Sequence, residues 1–199
     1  SRRRHTRFRN VTGVQTCALP ISRLAVSGRS IANVEETAEL CRRAGAEARA
    51  YEVDVTDRNA VLKHADEVVA DFGKVNVVVN NAGVSLVASV EEVSWEDLEW
   101  IVNINFWGVV HGTKAFLPHV IASGDGHIAN ISSMFGLVAC PTQGGYNATK
   151  FAIRAFTDAL RQEMRMYGHQ VGVSSVHPDR KSTRLNSSHV SESRMPSSA

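Results

Sequence analysis

Apolar positions change their period along the chain, and each change marks an element. Arg23-Leu24-Ala25-Val26-Ser27 is a short β-prone run closed by Gly28. Ile31, Val34, Ala38, Cys41 and Ala44 then recur at helical spacing, and Gly45 ends the stripe. Ala50-Tyr51-Glu52-Val53 reads as a strand. Asp57 stands where a helix N-cap belongs, ahead of Val61, Ala65, Val68, Val69 and Phe72, with Gly73 as the stop. Val75 to Val79 is almost all valine, the pattern of a parallel strand covered on both faces. The stretch from Trp95 to about Ser123 predicts one long helix or two in succession, and His127 to Ser132 predicts a strand. Tyr146 to Tyr167 predicts a second long helix with Phe151, Ala155, Phe156, Leu160 and Met164 on one face, and Val171 to Val176 a closing strand. Strands alternating with helices of this length predict the α/β class with a doubly wound parallel sheet, in one domain without internal repeats.

The patterning stops at both ends. Ser1 to Arg7 and the Ser/Arg-rich stretch from Arg180 to Ala199 carry no apolar period. Basic tails of this kind ordinarily suggest a nucleic-acid partner, and the whole chain has a formal net charge of +2. The segment Val11 to Ile21 (VTGVQTCALPI), however, resembles the translation of a short-read sequencing adapter. Asp179 to His189 (DRKSTRLNSSH) resembles the same adapter read from its other strand. If residues 2–7 translate the adjoining primer, Phe8-Arg9-Asn10 translate a sample barcode, whose reverse complement after His189 predicts Val-Ser-Glu. The chain reads Val190-Ser191-Glu192. Residues 1–21 and 179–199 are therefore expected to be non-native and disordered, with Ser22 a junction codon and residues 22–178 the protein proper.

That division changes the charge. The 157 residues between the two ends hold 13 Lys+Arg and 18 Asp+Glu, so the net charge becomes −5 and the expectation is of no nucleic-acid partner. Cys17 leaves with the first segment; Cys41 and Cys140 remain in no metal-ligand spacing, and no metal is expected. Few, scattered cysteines read as reduced thiols, in keeping with a cytoplasmic location. No run of 18 apolar residues is free of polar breaks, which excludes a membrane-spanning helix. The 43% apolar content suffices for the core of one domain.

Candidate chemistry gathers at strand ends, where ligands of open α/β sheets bind. Tyr146 and Lys150 are four residues apart, so phenol and ammonium share one helix face. A tyrosine hydroxyl ordinarily ionises near pH ~10, and a neighbouring cation brings it into the range of general acid–base catalysis. Ser133 follows a predicted strand in Asn130-Ile131-Ser132-Ser133. Asn80-Asn81-Ala82-Gly83 follows another, with a glycine that lets backbone approach a ligand. Asn105 lies inside an apolar helix, where a buried amide is costly unless bonded, whereas Asn103 reads as a surface residue.

Together Asn80–Gly83 (NNAG), Asn105, Ser133 and the Tyr146/Lys150 pair, in this order and spacing across residues 22–178, resemble the single-domain short-chain dehydrogenase/reductase family. The resemblance implies a Rossmann-like fold and an NAD(P)-dependent oxidoreductase that interconverts a ketone and a secondary alcohol. It implies that Tyr146 is the acid/base, that Ser133 positions the carbonyl, and that Lys150 lowers the Tyr146 pKa and holds the nicotinamide ribose. Asn105 would bind a water linking Lys150 to solvent. Asp54 and Val55 match the adenine-contacting pair, and Asn80, Asn81, Ala82 and Gly83 the cofactor-facing loop. After the strand Leu24–Ser27 an NAD-preferring member carries an acidic residue; here Gly28 and Arg29 stand instead, which favours NADP(H) over NAD(H). Arg29 as a plain surface residue is the competing reading.

The family's glycine-rich turn has no counterpart. Thr12-Gly13 imitates its opening, but Gln15 to Leu19 follow without the later glycines. The domain is thus expected to be incomplete: the first strand with its phosphate-cradling turn, the substrate lid and the last strand are missing, and the chain as written is expected to be inactive. In the family the first strand lies between those corresponding to Leu24–Ser27 and Val75–Val79. Two alternatives share the fold. A non-catalytic dinucleotide sensor typically loses the tyrosine or lysine, both retained here, and a sugar-nucleotide epimerase usually lacks NNAG. Trp107, Phe116 and Phe156 read as apolar outer positions on the two long helices, which the resemblance makes a homodimer or homotetramer surface. Phe135, Val138 and Gln143 suggest a largely apolar substrate pocket, without identifying the substrate.

Overall fold

A computed structural model describes residues 23–178. The readings made for residues 1–21 and 179–199, Thr12-Gly13 among them, lie outside the described residues. Two parallel ladders carry the fold. In the first, β1 (Arg23–Gly28) and β2 (Glu47–Glu52) are joined across α1 (Ile31–Arg43). In the second, β3 (Val77–Asn80), β4 (Gly126–Ile131) and β5 (Val171–Val176) lie in that order. Between them run α2 (Arg58–Phe72), α3 (Trp95–Val102), α4 (Gly108–Ala122) and α5 (Gly144–Met166). Within each ladder the strands are parallel and end at the same edge, as parallel crossovers require.

Local chemistry sets the boundaries. Asp57 opens α2 by accepting from the amides of Asn59 and Ala60 through Oδ1, and Gly73, at φ 73°, ends it by returning its N–H to the Val69 carbonyl. The larger core joins α2, α4 and α5 to the sheet through Val61, Phe72, Val78, Val120, Ile128 and Leu160. A smaller core of short side chains, including Val26, Val34, Ala38, Cys41 and Ala48, packs α1 on β1 and β2.

Four differences from the expected pattern have physical reasons. β2 starts at Glu47 instead of Ala50, because Glu47 and Arg49 are exposed while Ala48 alone faces the core, and Arg49 pairs with Asp71 at 2.6 Å. The valine run is not covered on both faces: Val78 is buried, whereas Val77 and Val79 are 59% and 39% exposed. Phe116 is no outer residue; it lies in the larger core with its ring edge-on to His64, centroids 5.7 Å apart. The long helical region is interrupted by a π-helical turn, Asn103–Trp107, before α4. Among the described residues no strand bridges β1 and β3, where the resemblance places one. No helix among them is long and apolar enough to cross a membrane.

Candidate active site

A buried line of amides and hydroxyls underlies the strand ends. Asn80 Nδ2 donates to Thr113 Oγ1 (3.0 Å) and to Asn130 Oδ1 (2.8 Å), and Asn130 Nδ2 donates to Thr157 Oγ1 (3.0 Å). One chain of bonds thereby joins β3, α4, β4 and α5, and satisfies groups that burial would otherwise penalise. Asn80 thus points into the protein. The next residue differs: Asn81 Oδ1 is buried without a partner among the described residues. At Gly83 a β-carbon would lie 3.3 Å from Asn105 Oδ1 and 3.5 Å from Lys150 Nζ, so the loop runs close against both.

Asn105 is fully buried in the π-helical turn. Its Oδ1 accepts from the Val84 amide (2.7 Å), while Nδ2 donates to the Val84 carbonyl (2.9 Å) and to Thr149 Oγ1 (3.2 Å). The side chain pairs with Val84 as a neighbouring strand would, pinning the Asn81–Gly83 loop to α5. Asn103, by contrast, is exposed, as its reading predicted.

Lys150, in α5, is 5% exposed, and its Nζ donates to the Ile131 carbonyl at 3.1 Å. Burial pulls the ammonium down to a pKa of about 8. Nζ lies 5.6 Å from the Tyr146 ring centroid, so the cation faces the phenol ring. Phe135 packs edge-on against the same ring at 6.3 Å. The two consecutive serines divide their work. Ser132 is buried and donates its hydroxyl to the Lys150 carbonyl (2.8 Å), whereas Ser133 Oγ accepts from the Phe135 amide (3.2 Å) and keeps its own proton to give. Asn105, Lys150, Tyr146 and the Ser133 segment are therefore brought together. Among the described residues no group of His, Cys, Asp or Glu could hold a metal ion.

The residues expected to face the adenosine end lie at the other ladder. Arg29 is exposed just beyond β1. At Gly28 a β-carbon would lie 2.9 Å from Val34 Cγ2, so a side chain there would have to displace Val34. Asp54 Oδ1 accepts from the amide and hydroxyl of Thr56 (2.9 and 2.8 Å), and the Val55 carbonyl lies 2.9 Å from His111 Nδ1. A cavity of about 270 Å³ is lined by Leu86, Val90, Val93, Leu98, Gly145 and Ala148. Ala148 lies on the side of α5 away from Tyr146, because a two-residue step turns about 200°. Val138 is exposed, and Gln143 makes an isolated bridge with Ala88. The π-helical turn and the contacts of Ser132 were not read from the sequence; the adjacent Ser-Ser pair was the one visible sign.

Comparison with known proteins gives concordant results. A sequence profile of the short chain dehydrogenases matches residues 14–194. SadH of Mycobacterium tuberculosis, named as an oxidoreductase, is 54% identical over 157 residues, covering 79% of this chain and 57% of that protein. The crystal structure of a short chain dehydrogenase/reductase from Burkholderia phymatum in complex with NAD superposes with a TM-score of 0.76 at 30% identity, over 88% of this chain and 65% of that one. A metagenomic short-chain oxidoreductase in complex with NADP gives 0.77 at 27% identity, over 82% and 74%. The chain thus spans 57% of the length of this curated relative.

Proposed function

The chain belongs to the short-chain dehydrogenase family, and on that premise we propose that the protein carrying residues 22–178 interconverts a ketone and a secondary alcohol with NADP(H). The observation that supports this most is the buried Lys150 ammonium held over the Tyr146 ring, beside the strand end that presents Ser133. A cation beside a phenol is what proton exchange with a substrate oxygen needs, and the free Ser133 proton suits a hydrogen bond to the same oxygen.

The residues present fit a nicotinamide dinucleotide. Asn81 Oδ1 is a buried acceptor without a partner among the described residues, and Gly83 leaves open the space that a side chain would fill before Lys150. Lys150, with one of its three N–H groups given to Ile131, has donors left for ribose hydroxyls. Tyr146, Asn80, Asn81, Ala82 and Gly83 would flank the nicotinamide end, and Arg29, Asp54 and Val55 the adenosine end. The cofactor, when bound, supplies or accepts the hydride. Preference for NADP(H) rests on Arg29, an exposed guanidinium beside Gly28, where no acidic side chain stands. Relatives crystallised with NAD and with NADP support the cofactor class. Asn105 would contribute to proton relay through the second lone pair of Oδ1, since both of its amide hydrogens are engaged.

We further propose a cytoplasmic homodimer or homotetramer, with exposed Trp107 and Phe151 on its contact surface. The test is NADPH and NADH oxidation by the intact gene product over a panel of ketones. Turnover faster with NADPH is the expected result; absence of turnover with every ketone and secondary alcohol would overturn the reading.

A further inference from the structure

Four consecutive residues at the end of β4 are each tied to a neighbour. Asn130 reaches Thr157, the Ile131 carbonyl accepts from Lys150, and the Ser132 hydroxyl reaches the Lys150 carbonyl. Those three bonds go to α5. The fourth goes elsewhere: the Ser133 carbonyl lies 2.9 Å from Nδ1 of His177, in the segment after β5. The adjoining Met134 amide donates to the Pro178 carbonyl at 3.3 Å. The single peptide group between Ser133 and Met134 is thus held at both its polar ends by two adjacent residues.

Partner chemistry fixes the imidazole. A carbonyl can only accept, so Nδ1 carries a proton; Nε2 of the neutral ring then accepts from the Ser175 hydroxyl, 2.9 Å away. Protonation of Nε2 leaves the Nδ1–H bond in place. Fixing the Ser133–Met134 peptide plane fixes ψ of Ser133, and so the place at which the Phe135 amide arrives. That amide is the group that donates to Ser133 Oγ and leaves the hydroxyl proton free.

We propose that His177 is a positioning residue for Ser133, acting through the backbone: it sets the direction in which the serine hydroxyl can donate. The inference rests on the reductase reading given above. It is tested in the intact gene product with H177A, H177N and H177Q. The asparagine amide nitrogen comes close to the place of Nδ1, and that of glutamine to the place of Nε2. H177A lowers kcat about ten- to a hundred-fold, the scale expected when a reacting group is misplaced, with the KM for NADPH within about twofold. H177N restores most of the loss and H177Q does not. A folded H177A with unchanged kcat, or H177N no better than H177Q, overturns the inference. If H177A does not fold, the H177N and H177Q pair decides. Hydrogen exchange at the Phe135 amide supplies a readout that needs no turnover: it quickens in H177A or H177Q and returns in H177N. Unaltered exchange in all three also overturns the inference, whereas a wild type without turnover overturns the reductase reading alone.

Discussion

The two ladders hold their functional residues in opposite ways. Around β3, β4 and β5 the buried polar side chains are anchored: Asn105 by three hydrogen bonds, Lys150 by a strand carbonyl, Asn80 and Asn130 by each other. Around β1 and β2 the core is built of alanine, valine and cysteine, and Arg29 stands exposed at its rim. Chemistry on a reacting bond tolerates little misplacement, so its groups are locked by buried polar bonds. Choosing between two cofactors that differ by one phosphate needs only a charge within reach, and in the proposed reading the exposed Arg29 would provide it.

That contrast can be broken from its strongest side first. Y146F removes the proposed acid/base group without disturbing the packing of Phe135 on the ring, and should lower kcat about a thousandfold in the NADPH oxidation assay of the intact gene product. A loss under tenfold would place the proton donor elsewhere.

The next effect is on stability. Burial holds the folded Lys150 near pKa 8, below the value of about 10.4 in an unfolded chain. Between those values the unfolded chain keeps a proton that the folded one has released, so stability increases as pH rises through the window and is lost as pH falls through 8. The difference amounts to about 3 kcal/mol at most. Chemical denaturation of the wild type and K150M across pH 7–11, without cofactor, should show the wild type gaining on the variant; parallel curves would show that the ammonium is hydrated.

Smaller still is the cost of N105A, about 2 kcal/mol in the same experiment, because both polar groups of half-buried Val84 lose their partner. The smallest effect comes from the exposed ladder. R29E should leave stability within about 0.5 kcal/mol, as surface changes do. It should also lower the NADPH over NADH ratio of kcat/KM by about tenfold, the loss of one charge-assisted contact. An unchanged ratio would make Arg29 a plain surface residue.

How far the sequence foretold this arrangement depends on how local the cause is. The helix from Asp57 to Gly73 was legible because its cap and its stop act within one turn. The strand Val171–Val176 was legible from its own residues. The start of β2 was not, since exposed Arg49 pairs with Asp71, from another element. Phe116 looked like a surface residue because the stripe of α4 is apolar nearly all round, so periodicity alone could not say which side faces the core. The candidate site residues were recognisable as a set by their spacing, but their bonds were not. The links from Asn130 to Thr157 and from Ser133 to His177 join residues 27 and 44 positions apart, beyond the reach of any periodicity.

The π-helical turn at Asn103–Trp107 carries a consequence for how this sequence can change. Its hydrogen bond runs from the Gly108 amide to the Asn103 carbonyl, one residue longer than an α-helical turn. Removing one residue there would restore ordinary helical phase and rotate α3 about 100° relative to α4. The helix would remain, and its composition would hardly change, yet Asn105 would leave Val84. Single-residue deletions in this short stretch should therefore be purged by selection while substitutions at exposed Asn103 are accepted, so that length, more than identity, is what the segment has to inherit.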